Sequence, residues 1–360
     1  MLPINGNVNL EDYICLIPFT TVDLRRNGVV TTCCYINQNL GILTGNDFMQ
    51  VWNSPIAREI RMDMIDGNFS FCDKAKCACF QQRNSWVVKK RDIEDSLIRD
   101  AVAKRLDCLD FGPRTISLTN DPTCNLSCPS CRKKRFTISE DEYRNLKKIH
   151  NNILHFSGEH LETLHVAGAG DPFASKVYRE LLQEIEPGKY PKLKISIMTN
   201  GQLLNEKMWK SLNRIKDSVN AIGVSVDAVT ELTYGIVRRG GDFNNLMNNL
   251  EFVSNLEERK KGLWFGITMV VQKNNYKEML AFVELGKQLG VDAVNFSFLS
   301  NWGTFTQEEY VAHSVHLESN PEHNQLCQIL KHPIFKDKIV NLGNLYNLYL
   351  KCNIDRKEEE

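Results

Sequence analysis

The stretch Ser117-Leu-Thr-Asn-Asp-Pro-Thr-Cys-Asn-Leu-Ser-Cys-Pro-Ser-Cys-Arg132 sets Cys124, Cys128 and Cys131 at C-x3-C-x2-C spacing. The alternating run from Thr115 to Thr119 leads into it and predicts a short strand. A closed structural zinc site takes four ligands, and no fourth cysteine or histidine lies within a turn or two of these three. Cysteine thiolates also hold iron–sulfur clusters. Three protein ligands on a four-iron cube would leave one iron free to bind something else. Three buried or zinc-binding cysteines are the plainer alternative.

From this loop onward, short β-branched runs alternate with longer amphipathic stretches. Strands are expected at 115–119, 162–167, 193–199, 220–226, 263–271 and 293–298, with helices at 139–154, 174–186, 205–216, 244–258 and 276–289. That order predicts parallel β/α units with right-handed crossovers. Ile195-Ser-Ile-Met-Thr199 and Val294-Asn-Phe-Ser-Phe298 are mostly apolar, as buried strands are. Six such units are too few for a full eight-strand barrel.

The N-terminal 90 residues read differently. They are rich in cysteine, with turns at Asn27-Gly28, Thr44-Gly45-Asn46 and Asp66-Gly67-Asn68, and a helical pattern over 47–65. The expected organisation is a small cysteine-rich module over 1–90, a linker helix within 91–112, a barrel over 113–305 and a C-terminal extension over 306–360. The extension has helical pattern near 306–317 and 325–331.

Composition narrows the classes. Lys+Arg and Asp+Glu balance at 44 each, so no charge field favours a nucleic acid. No apolar run approaches the ~18 residues of a membrane span, and Met1-Leu-Pro-Ile-Asn-Gly-Asn7 lacks the blocks of a secretion signal. Twelve cysteines in such a chain imply a reducing cytoplasm, where they mean metal or catalysis more often than disulfides. The tail Glu358-Glu359-Glu360 reads as a solvated end.

The three-cysteine loop resembles the cluster loop of the radical S-adenosylmethionine (radical SAM) enzymes. The resemblance implies an open, six-stranded partial TIM barrel, (β/α)6, matching the strand count. It also implies a 4Fe–4S cluster on Cys124, Cys128 and Cys131, whose free iron chelates S-adenosylmethionine. Reductive cleavage, fed by a reductant such as flavodoxin or ferredoxin, would then give a 5′-deoxyadenosyl radical that takes hydrogen from substrate. Leu164-His-Val-Ala-Gly-Ala-Gly-Asp-Pro-Phe173 resembles the family's Gly-Gly-Glu-Pro motif, mapping onto Ala169, Gly170, Asp171 and Pro172 with alanine and aspartate as departures. Met198-Thr-Asn-Gly201 is similar to the Thr-Asn-Gly turn and puts Asn200 among the cofactor contacts. Ser225, with Arg238 or Arg239, maps onto the serine and arginine that bind the cofactor carboxylate; of the two arginines Arg238 is taken. Ser130 occupies a position near adenine that is usually aromatic. His165 and the run Arg132-Lys-Lys-Arg135 read more plainly as an inward polar strand residue and a solvated helix start.

A second cysteine set precedes the barrel. Cys15, the spaced Gly28-x4-Cys33 and Cys72-Asp-Lys-Ala-Lys-Cys77-Ala-Cys79 resemble the auxiliary-cluster domain called SPASM, or its shorter form, twitch. Trp52-Asn-Ser54 and the Arg58–Arg61 helix add to the likeness. The resemblance implies a second 4Fe–4S cluster on Cys15, Cys33, Cys72 and Cys77, with Cys79 able to replace Cys77. A zinc ribbon on the same cysteines is the competing structure. A fully ligated auxiliary cluster favours oxidation, a dehydrogenation or crosslink; the substrate expected is a small molecule such as a sugar derivative. Epimerisation or crosslinking of a ribosomally made peptide is the alternative, with Cys34, Cys108, Cys327 and Cys352 outside both sets. A zinc-stabilised binding protein without enzymatic activity is the third reading. No catalytic residue is assigned.

Overall fold

The computed structural model describes residues 10–36, 38–43, 47–74, 77, 86–166 and 168–353. The Thr44-Gly45-Asn46 turn, Cys79, the first nine residues and the glutamate tail lie outside these. Two compact units emerge: Met1–Pro122 with Ile138–Ala169 and Glu184–Ile195, and Thr123–Thr137 with Gly170–Gln183 and Ser196–Glu360.

The first unit contains β1 (Tyr13–Cys15), β2 (Thr21–Arg25), β3 (Val29–Thr31), β4 (Gly41–Ile42), β5 (Val87–Lys89), β6 (Thr115–Thr119) and β7 (Thr163–Val166). Its helices are α1 (Ile17–Thr20), α2 (Phe48–Trp52), α3 (Pro55–Ile65), α4 (Ser96–Ala103) and α5 (Glu140–Ser157). In β6 Ile116 and Leu118 are buried while their neighbours are not, the period-two pattern of a half-buried strand. β7, β6 and β2 run parallel, and β3 and β4 continue the sheet antiparallel. The β2–β3 connection turns at Asn27 and Gly28, both with positive φ (60° and 73°), the backbone that a tight hairpin turn needs. The helical pattern over 47–65 breaks at Asn53-Ser54-Pro55: Ser54 caps Ala57 N–H and Pro55 opens α3.

Arg61 is the buried tie of this unit. Its guanidinium donates to the carbonyls of Pro18 (3.0 Å), Trp52 (2.7 Å) and Asp107 (3.0 Å) and to Asn53 Oδ1 (2.9 Å), and lies 4.4 Å over the Trp52 ring. Burial lowers its pKa to about 9. Asn53 and Trp52 bond in turn to Leu109 and Phe111.

The second unit contains α6 (Lys176–Glu184), β8 (Lys194–Thr199), α7 (Glu206–Ser211), β9 (Val219–Ser225), α8 (Glu231–Val237), α9 (Phe243–Ser254) and α10 (Glu257–Lys260). It continues with β10 (Trp264–Val271), α11 (Met279–Gln288), β11 (Ala293–Phe298), α12 (Gln307–His313), α13 (His323–Leu330), β12 (Val340–Asn341) and α14 (Tyr346–Asn353). Strand order is β12-β11-β10-β9-β8, and the pairs β9–β10, β10–β11 and β11–β12 are parallel. Phe265, Ile267, Met269 and Val271 of β10 and Val294 and Phe296 of β11 are buried.

The fold is α/β with largely parallel strands, and all six strands expected between 115 and 298 form. The six-strand count is exceeded by two parallel partners: β2 beside β6, and the two-residue β12 beside β11. The first pairing joins residues 21–25 to residues 115–119, across the boundaries expected near 90 and 112. Among the described residues no helix is long and apolar enough to cross a membrane.

Arg61→Met should strand the Pro18, Trp52 and Asp107 carbonyls without a donor. A loss of about 3 kcal/mol is expected in urea unfolding followed by circular dichroism; an unchanged midpoint would contradict the keystone role.

Candidate functional site

Cys124 enters the loop through its N–H to Phe136 carbonyl bond (3.1 Å), and the Cys131 and Arg132 N–H groups both donate to Cys128 carbonyl at 2.9 Å. The loop is thereby closed at its base and turned tightly at its tip, where Ser130 is half-buried. All three thiols are free, with Cys128 buried, Cys124 half-buried and Cys131 exposed. Each sulfur has an N–H neighbour. Leu126 N–H (3.5 Å) and Asn200 Nδ2 (3.7 Å) reach Cys124, Arg238 Nη1 (3.9 Å) reaches Cys128, and Arg132 Nη2 (3.3 Å) reaches Cys131. Burial pushes the Cys124 and Cys128 thiols above their usual pKa, so thiolates there need a positive centre to offset desolvation.

The loop is anchored by Asp171, 1% exposed. Its backbone N–H donates to Thr123 carbonyl at 2.8 Å, next to Cys124. Its carboxylate accepts from Thr199 Oγ1 (2.7 Å), Asn200 N–H (2.8 Å), Phe173 N–H (3.0 Å) and Ala174 N–H (3.2 Å). Burial raises this carboxyl above the ordinary carboxylate value, with those donors acting the other way. Both Asp171 carboxylate oxygens are thus engaged by protein, tying the segment before α6 to the end of β8.

Asn200 follows β8 and holds Asn125 Oδ1 at 2.9 Å with the amide that approaches Cys124. Gly201 has φ +78°, and a Cβ there would lie 2.6 Å from Leu246 and 2.8 Å from Val224, so the Thr-Asn-Gly turn requires glycine. Gln202 extends the network to Tyr234 Oη (2.9 Å) and to the Asp242 backbone. On the other side of the loop, Ser127 N–H donates to Arg239 carbonyl (3.0 Å). Arg239 itself reaches Ser127 Oγ (3.2 Å) and Lys133 carbonyl (3.0 Å). The two arginines thus divide the work: Arg239 clamps the loop backbone and Arg238 faces a sulfur.

Arg238 also pairs with Asp227 at 2.9 Å, both largely buried. Burial works against the Arg238 charge, but Asp227 and the Cys128 sulfur outweigh it and hold the pKa above the ordinary value. Asp227 has φ 66°, a left-handed backbone that aspartate tolerates better than most residues, and its other oxygen accepts from Val270 N–H at 2.8 Å. Asp227 is not singled out among the expected contacts; an acidic residue eleven positions before the arginine is the signal the sequence offers. Arg132 and Arg135 correct the expectation of a solvated helix start. They contact Cys131 Sγ and Gly240 carbonyl, and α5 begins only at Glu140.

The remaining expected contacts are less engaged. Gly170 is half-buried immediately before Asp171, and Ala169 is half-buried at the end of the first unit. Ser225 Oγ lies 3.9 Å from Met198 Sδ. His165 is exposed and sits opposite Ser117 in the β6–β7 register.

Within the first unit, hydrogen bonds tie the segments that carry the second cysteine set to one another or to nearby backbone. Thr32 Oγ1 donates to Ile17 carbonyl (3.0 Å), Tyr35 N–H approaches Cys33 Sγ (3.4 Å), and Ile36 bridges Cys72. Asp73 N–H donates to Tyr35 carbonyl (3.0 Å) and Cys77 N–H to Asp73 carbonyl (2.8 Å). Cys15 and Cys77 are buried, and Cys33 and Cys72 half-buried. Cys327 and Cys352, counted among the spare thiols, instead form a disulfide, leaving Cys34 and Cys108 free outside both sets.

Cysteine thiolates with N–H neighbours are the donor chemistry that iron–sulfur clusters take. Among the described residues no three Cys, His, Asp or Glu side chains gather closely enough to hold one metal ion. A cube with one thiolate per iron asks for sulfurs spread around it, and N–H groups at those sulfurs tune its potential.

Asp171→Asn would set an amide against groups that already donate. A stability loss of about 3 kcal/mol, together with reduced iron retention by the Cys124 loop, is expected from urea unfolding and iron assay; full iron content at wild-type stability would contradict the anchor.

Residues 122–286 match the radical SAM superfamily model, and residues 15–88 match that of an iron–sulfur cluster-binding domain, SPASM. A tungsten-containing aldehyde ferredoxin oxidoreductase cofactor-modifying protein of Pyrococcus furiosus is 24% identical over 220 residues, 59% of this chain and 58% of that protein. An uncharacterized protein of Methanocaldococcus jannaschii is 27% identical over 131 residues, 36% of this chain and 40% of that protein. The chain spans less than two thirds of the length of these curated relatives. Among solved structures, Streptococcus suis SuiB bound to precursor peptide SuiA aligns with TM-score 0.45 and 16% identity, covering 95% of this chain and 74% of that one. The two domains imply S-adenosylmethionine and 4Fe–4S clusters as cofactors. With its cysteine loop inside the first matched region and its second cysteine set inside the other, the chain carries a radical SAM domain over residues 122–286 and, ahead of it in sequence, a SPASM domain over residues 15–88.

Proposed function

We propose that this chain is a radical SAM enzyme that cleaves S-adenosylmethionine reductively to 5′-deoxyadenosine and oxidises a small molecule. The observation that carries the reading is the set of three free thiols on one anchored loop, each with an N–H donor at its sulfur. Cys124, Cys128 and Cys131 would hold one cluster, and Cys15, Cys33, Cys72 and Cys77 the other. The bound cofactors supply electron transfer to the sulfonium and removal of a hydrogen atom from substrate.

The chain's own residues bind and orient. Asp171, Asn200 and Arg239 fix the loop. Arg238, held by Asp227, keeps its charge beside Cys128 and retains a buried Nε with no partner among the described residues, a donor suited to a carboxylate. Gly170 and Ser225 offer backbone and hydroxyl contacts to the rest of the cofactor. Substrate would meet the aromatic and imidazole faces beyond β11, where Phe298 stacks on His316 (4.3 Å) and Phe305 on His313 (5.1 Å). Trp302, 77% exposed, belongs to the same loop. Such crevices beyond strand C-termini are where α/β sheets bind ligands.

Two features favour oxidation of a small molecule. Four protein thiols in the SPASM region can ligate a cluster fully, leaving it an electron carrier rather than a substrate site. The Pyrococcus relative is named for modifying a cofactor.

Anaerobically reconstituted protein is expected to carry about eight irons, as two cubanes, and to release 5′-deoxyadenosine on reduction. Replacing Cys124, Cys128 and Cys131 together by alanine should leave about four irons and no 5′-deoxyadenosine. Continued cleavage by that variant, or zinc in a colourless wild type, would overturn the reading. Solvent deuterium in the product would mark epimerisation instead of oxidation.

A further inference from the structure

Cys327 of α13 and Cys352 of α14 are joined across a separation of 25 residues where the two helices pack. The disulfide lies in the wall of a cavity of about 420 Å³ that is also lined by His323, Lys331, Lys351 and Glu318. Cys352 is 6% exposed, whereas Cys327 is partly open. His323 Nδ1 lies 3.2 Å from Val315 carbonyl, an oxygen that can only accept, so Nδ1 carries the proton. Nε2 is then the lone-pair nitrogen, and it stands 3.7 Å from Cys327 Sγ. A disulfide, a cavity that reaches it and a base beside its accessible sulfur are the parts that thiol exchange needs.

We propose that the cavity is a thiol-exchange site, at which a small anionic thiol forms a mixed disulfide on Cys327. The two lysines against one glutamate favour a thiol bearing a carboxylate or phosphate. The incoming thiol gives its proton to His323 Nε2 and its sulfur bonds to Cys327 Sγ. The Cys327–Cys352 bond breaks with its electron pair on Cys352 Sγ, which takes the proton from the imidazolium. A second thiol then leaves with the first as a small disulfide, so two thiols are oxidised while both cysteines are reduced.

The test uses full-length protein freed of reductant, with free thiols alkylated before proteolysis and mass mapping. The expected result is a peptide pair linked through Cys327 and Cys352, which 3-mercaptopropionate converts to an adduct on Cys327. Cysteamine, a cationic thiol, should react about tenfold more slowly once each rate is scaled to its reaction with a small disulfide in solution. His323→Gln should slow the mercaptopropionate reaction about tenfold or more. If that variant does not fold, the comparison of thiols on the native protein decides alone. Alkylation of both cysteines without prior reduction, an adduct on Cys352 instead, or equal scaled rates would overturn the proposal.

Discussion

A carboxylate with almost no access to water must be satisfied by the protein around it. Asp171 meets that demand with four donors drawn from two places, the end of β8 and the start of the segment leading to α6. Its own N–H reaches Thr123, and so one residue fixes the position of Cys124 relative to Asn200. Removing the charge would leave donors facing each other rather than a neutral gap, which is why the constraint is strict. The loop's other side is held differently. Arg239 and Ser127 join backbone to backbone and side chain to side chain, a contact that tolerates exposure.

Between these two fastenings sits the Arg238–Asp227 pair. A buried ion pair is weak evidence of stability, since desolvation consumes most of the attraction. Here its geometry suggests another use: it carries a permanent positive charge to the buried sulfur of Cys128. Asp227 reaches Arg238 from a left-handed backbone, and strain of that kind collects at functional positions. The same three residues would set how readily an electron is accepted at the loop.

Local signals were legible and directions were not. β6 forms at the bounds its alternation predicts, because side-chain period defines a half-buried strand, and β11 forms at the bounds of its mostly apolar run. The cysteine spacing likewise announces its loop. Asp171 shows the limit: motif likeness gives its place, but whether its carboxylate faces a ligand or the protein depends on Thr199 and Asn200, donors 28 and 29 residues away. Asp227 carried no motif. The helix over 47–65 hides a break that Ser54-Pro55 did encode, as a cap followed by an N1 proline. The Cys327–Cys352 bond could not be read from spacing, since free and paired cysteines look alike until helix packing brings them together.

The parallel pairing of β2 with β6 also bears on the order in which the molecule can assemble. Thr21–Arg25 pairs with β3 on one side but finds its parallel partner in Thr115–Thr119, and parallel neighbours cannot be joined by a short hairpin. While the chain is being made, the cysteine-bearing N-terminus therefore waits, one sheet edge unpaired, until about ninety more residues have left the ribosome.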